Sequence, residues 1–235
     1  MTWLAFSTAS YSATYRRAIA RQILAETIAN TLWFSVLFSL ISVVLIRIIV
    51  VTASSYGVGQ YAIEMVVRVL VLELIPMAIS VFVGLRSSVP GAAALSEMAG
   101  LGRERTWRSA DLATIRTEFL ARTLAYVFAV AMLACISCII ALVLAYVFLY
   151  GFTPWAIGPY TRAVGQIFSP VVATIFVCKT LALSLAVSVI PLAGAFYAQS
   201  GLSVPAKTAA QLSSLVRLFF IVLVVEVVSL VGNYS

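Results

Sequence analysis

Seven ionisable side chains fall in stretches of this chain that are otherwise apolar: Glu64, Glu73 and Glu226, with Arg47, Arg68, Lys179 and Arg217. An ionised group surrounded by hydrocarbon costs several kcal/mol unless it meets protein or water, so each of them needs a partner. Glu64 and Arg68 are four residues apart and can pair along one helix face. Glu73 has no such neighbour. Pro76, three residues on, removes a backbone donor and crowds the carbonyl of Leu72, so a helix is expected to kink or open beside the carboxylate. Two readings of Glu73 follow. Either a cation from another segment, Lys179 or Arg47, satisfies it, or it is protonated and bonded to backbone opened by the proline. Arg47 also has a second reading, snorkelling to the headgroups near the end of its segment. The chemistry in prospect is charge pairing around a polar interior, not bond making. There is no histidine and no nucleophile set beside a base, which argues against an intramembrane enzyme.

The elements that must hold these charges are membrane helices. The chain has 235 residues, 63% of them hydrophobic and only 10% charged, with a mean hydropathy of +1.11; a soluble domain carries about 25% charged residues. The fold class expected is an all-α integral membrane protein. The net charge of +7 raises the question of nucleic acid, but no exposed aromatics interleave the basic residues, and no nucleic-acid partner is expected. Cys135, Cys138 and Cys178 lie in apolar segments and read as small core residues, with no disulfide framework or metal knuckle; no metal or cofactor is expected.

Taken in order, residues 9–31 carry Arg16, Arg17, Arg21 and Glu26 on one face and Ile19, Ile23, Leu24 and Ile28 on the other, the pattern of an amphipathic helix lying in the headgroups. The apolar periodicity then runs on, with no glycine or proline, into a first span over 32–52. Spans two to five are expected over 61–85, 123–150, 171–197 and 211–230, each long enough for about 30 Å of hydrocarbon. A cytoplasmic helix over 90–111 separates spans two and three, and a short helix over 154–168 lies at the outer face, where Trp155 and Tyr160 suit an aromatic belt. Arg16, Arg17 and Arg21, six arginines between 86 and 122, and Lys207 fall on one side of this topology, against Arg162 alone on the other. The positive-inside rule therefore places the N-terminus in the cytoplasm and the C-terminus outside. The whole chain reads as a single permease domain.

The run around Glu73 now carries a resemblance. Glutamate, leucine, any residue, proline in span two, an arginine some twelve residues on, a small-residue run ending in methionine, a cytoplasmic helix and a lysine early in span four resemble the MlaE (YrbE) family of lipid-transport permeases. Glu73, Pro76, Arg86, Met98, Ile115, Arg116, Arg122 and Lys179 stand where that pattern places these residue types. The departures mark a divergent member, and they include the second half of span four, which lacks the family's usual small-residue and cysteine pattern. GRERTWRSAD, residues 102–111, replaces an acidic segment resembling EQIDALEVMG, and AALSEM replaces an AAEIGTM-like run, which moves the nearby acid to Glu97.

The resemblance implies the permease subunit of an ATP-binding-cassette transporter in the bacterial inner membrane. Such a subunit moves phospholipid or a related lipid to or from a periplasmic MCE-domain protein, and works as a dimer with a second copy or a homologue. An ABC ATPase subunit is implied as a further partner, because the chain lacks the Gly-rich run followed by Lys-Ser/Thr that cradles nucleotide phosphates. On this reading Glu73, Pro76, Arg47, Lys179 and Glu226 line a substrate cavity or form its buried charge, and Glu97, Arg103, Glu104, Arg105 and Arg108 couple to the ATPase. From the residues alone, a secondary transporter and a non-transporting membrane anchor remain the alternatives; the first would usually show internal repeats with paired broken helices, and none is visible.

Overall fold

The computed structural model describes residues 13–94, 119–197 and 204–234. Among them every regular element is helical, and five helices are long and apolar enough to cross a membrane. α1 (Ala13–Ser55) is a single helix, so the expected boundary between leader and first span near residue 31 is no break in the chain. α2 (Gly59–Ala94) follows a three-residue connection. α3 (Leu120–Tyr150) leads through a one-turn 3₁₀ segment, Pro154–Ala156, into the short α4 (Ile157–Ile167). α5 (Pro170–Tyr197) and α6 (Val204–Tyr234) complete the bundle. The expected cytoplasmic helix is divided: residues 90–94 are the last turn of α2, and 95–111 lie outside the described residues.

α1 and α3 form the most extensive helix pair, and their sequences show why. Asn30, Phe34, Phe38, Ser42 and Ile46 recur every four residues on α1 and are buried. α3 answers with a ridge of small buried residues, Ala121, Ala125, Ala129, Ser137, Ala141 and Ala145, that lets the backbones approach closely. Phe34 also packs on Phe82 of α2, ring centroids 4.9 Å apart.

α2 is the enclosed centre of the bundle: 56% of its most apolar window is buried, against 17% for α6. It is also irregular. Val67–Leu74 and Gly84–Ser88 are π-helical, with Ile75 N–H reaching back five residues to the Leu70 carbonyl and Val89 N–H likewise to Gly84. Each wide stretch ends two residues before a proline, Pro76 and Pro90. A proline ring pushes on the preceding turn and offers it no N–H, so the turn before it widens. At Gly84 a Cβ would sit 2.8 Å from Leu218 Cδ2, so the missing side chain leaves room for α6 to pack tightly on α2 here.

Two expectations need correction. Tyr160 does not join an outward belt: it is buried under Tyr146 and Tyr150, and its hydroxyl donates to the Leu142 carbonyl at 2.8 Å. Burial, with Tyr150 adding to it, pushes its phenol up to about 12. Trp155 is the outward-facing residue, 93% exposed. Of the three cysteines only Cys138 packs against the core; Cys135 and Cys178 are exposed on the bundle surface as free thiols, since in a helix whose outer face meets hydrocarbon a small apolar side chain need not be buried in protein.

Candidate functional site

Pro76 has no N–H, so the Leu72 carbonyl one turn earlier loses its helical donor. That carbonyl turns to Lys179 on α5, whose Nζ lies 3.3 Å away. The same ammonium binds Glu73 Oε2 on α2 and, at 2.9 Å, Glu226 Oε1 on α6. An ammonium has three protons, and all three are used. The Lys179 side chain is 1% exposed, those of Glu73 and Glu226 14% and 15%. Glu226 Oε2 is buried with no hydrogen-bond partner. One cation thus sits between two acids contributed by different spans, inside a bundle whose other buried polar residues are serines and Asn30 among the described residues.

Position along each helix explains the convergence. Lys179 is in phase with the buried residues Leu183 and Val187, and Glu226 with Leu218 and Val222, at the four-residue spacing of one helix face. Glu73 lies in the widened stretch before Pro76, where the ladder is already out of register. Lys179 is nine residues from the start of α5, about 13 Å along the axis, so the cluster lies toward the end of the bundle that carries the α1–α2 and α3–α4 connections.

The other residues singled out from the sequence fall elsewhere. Arg47 is exposed on α1, one residue past the buried Ile46, and it is Lys179, not Arg47, that meets Glu73. Glu64 and Arg68 do pair, Oε1 to Nε 3.0 Å, half-exposed near the start of α2. Arg217 is exposed on α6. Glu97, Arg103, Glu104, Arg105 and Arg108 lie outside the described residues.

A second, reciprocal contact escaped the sequence reading. Pro191 on α5 frees the Val187 carbonyl four residues earlier, and Ser88 Oγ of α2 donates to it at 2.6 Å. α5 therefore caps a proline-released carbonyl on α2, and α2 caps one on α5. Pro191 was the only available signal, and it named a carbonyl without naming its donor.

Compared with known protein families, residues 19–231 match the one described as Permease MlaE. The chain belongs to the MlaE permease family. The match takes in all five spans and all three members of the charged cluster, so this MlaE-family protein is a membrane permease built as an all-α bundle. No curated protein matches the chain.

Proposed function

We infer that this permease is the membrane-spanning subunit of an ABC transporter that moves phospholipid, or a related amphiphile, between the bacterial inner membrane and a periplasmic MCE-domain protein. Family membership supports lipid as the cargo class. The observation that carries the reading is the Glu73–Lys179–Glu226 cluster, a polar centre held across three spans, with Glu226 Oε2 as an acceptor still without a donor. An amphiphile with a polar head and apolar tails suits such a site, whereas a hydrated ion would need a longer run of polar lining. The arginines between 86 and 122 put the loop after α2 in the cytoplasm, where a separate ATPase subunit would dock and where Glu97, Arg103, Glu104, Arg105 and Arg108 would form the contact.

The direct test is reconstitution of the affinity-purified complex in vesicles. An ATPase should copurify, and ATP should drive transfer of labelled phospholipid between the vesicles and the MCE protein; a purified assembly with no ATPase would favour a passive anchor. Charge reversal at two of Arg103, Arg105 and Arg108 is expected to weaken ATPase docking by about tenfold at low salt, the difference from the parent shrinking as salt screens it. Undiminished copurification after reversal of all three would remove these residues from the interface.

Two copies, or this chain with a homologue, would enclose a larger lipid-accessible cavity than five helices alone. α6 is the face to expect at that contact, because Val216, Phe220, Leu223, Val227 and Val231 form an exposed stripe along it. In a background lacking the three native cysteines, single cysteines on this stripe should trap dimers in native-like lipid, while cysteines at the buried Leu218 and Val222 should not. Monomers throughout the stripe would count against the pairing.

A further inference from the structure

The second irregular stretch of α2 is held by a set of contacts that the charged cluster does not use. Tyr126 of α3 is fully buried and donates its hydroxyl to the Ser87 carbonyl at 3.1 Å. Arg122, one turn earlier on α3, donates from Nη1 to the Gly91 carbonyl at 2.9 Å. Asn30 of α1, 1% exposed, donates from Nδ2 to Ser87 Oγ at 2.7 Å. Ser88 reaches across to the Val187 carbonyl of α5. Three helices thus grip a short stretch of α2, residues 87–91, through its backbone and two serine hydroxyls. The fit against α3 is tight: a Cβ on Gly91 would collide with the Tyr126 hydroxyl.

A regular α-helix closes its own carbonyls and moves as a rod, whereas here Pro90 withholds an N–H from the ladder just after the π stretch Gly84–Ser88, and neighbouring helices bind the carbonyl of Ser87 within that stretch and of Gly91 one residue past the proline. A stretch whose carbonyls depend on donors from other helices can be held or released as those donors move, and an element of that kind is what carries coupling between distant sites. The gripped stretch lies between Glu73 and the segment that follows α2, and α2 is helical throughout the interval, so an axial shift or rotation at 87–91 is passed directly to Glu73.

We propose that Tyr126, Arg122 and Asn30 form a latch on residues 87–91 of α2, and that these positioning residues set the mechanical link between the cytosolic end of α2 and the Glu73–Lys179–Glu226 cluster. The coupling role rests on the transport reading above; the latch itself does not. Tyr126→Phe removes one donor and keeps the ring, and Gly91→Ala displaces the same hydroxyl. The two should therefore share a phenotype and fail to add when combined.

Amide hydrogen exchange on the purified permease alone reads the latch. In either variant, exchange over residues 84–94 should quicken by about fivefold, the effect of one neutral hydrogen bond on a two-state equilibrium, while residues 62–83 stay as in the parent. Unchanged exchange over 84–94 in both variants overturns the latch. In the complex with its ATPase, phospholipid moved per ATP hydrolysed should fall by a similar factor at unaltered ATPase binding and thermal stability, and Arg122→Lys, which keeps a donor, should recover more of it than Arg122→Met. Faster exchange with an undiminished transfer ratio overturns the coupling role. A parent complex that hydrolyses ATP but moves no lipid overturns the transport reading and the coupling role with it, and the exchange result still decides the latch.

Discussion

Lys179→Met is expected to be among the most damaging single substitutions in the membrane core, with a loss of about 3–5 kcal/mol and a melting temperature lower by on the order of 10 °C. The methionine fills similar space, so packing is not the reason. Removing the ammonium leaves Glu73 and Glu226, each about one-seventh exposed, facing one another without a counter-charge. It also strips the donor from the Leu72 carbonyl that Pro76 has released. The penalty of a buried ion pair broken from one side comes mainly from the group left behind, and here two groups are left behind. Thermal unfolding of the permease in nanodiscs, beside lipid transfer by the reconstituted complex, measures both consequences. A variant that melts within a degree or two of the parent would show that Lys179 is not the counter-ion of this cluster.

That Lys179 rather than Arg47 meets Glu73 was half legible in the chain. Both are single cations in apolar runs, and hydropathy treats them alike. Phase separates them: Arg47 stands one residue past the α1 stripe that ends at Ile46, whereas Lys179 is on the stripe of Leu183 and Val187. With only one face of α5 buried, that phase had to be read from the packed structure. The five spans were legible because uninterrupted apolar length is a property of one segment at a time. Continuity of α1 was legible too, as nothing between residues 13 and 55 is a glycine or proline. Pro90 misled in the opposite direction: it reads as the edge of a separate helix, but α2 absorbs it just after the π stretch Gly84–Ser88, and the carbonyls of Ser87 and Gly91 on either side of it find donors on α3, more than 30 residues away. Contacts at that separation leave no local pattern. The Ser88 bond to Val187 is of the same kind, spanning 99 residues to reach a carbonyl exposed by Pro191.

The charge count of the cluster leads to the second large effect. With both carboxylates ionised, the cluster would carry a net charge of −1 around its one ammonium and neutralising either acid would leave a balanced pair, so Glu73→Gln or Glu226→Gln alone is expected to change stability by no more than about 1 kcal/mol, since the amide oxygen still accepts from Lys179. Neutralising both is different. Lys179, 1% exposed, would then be a buried cation with only neutral acceptors, and the double variant should lose about 3 kcal/mol or more. The two substitutions are thus expected to be strongly non-additive, as groups sharing one partner are. Adding Lys179→Met to the double variant should restore part of the loss, because no charge then remains to be compensated. Unfolding of the four variants and the parent in one lipid composition decides it. Additive losses would mean that each glutamate is stabilised by its own surroundings and that Lys179 is not shared between them; parent-like stability in every variant would make the three residues incidental polar groups, and the site would have to be sought elsewhere in the bundle.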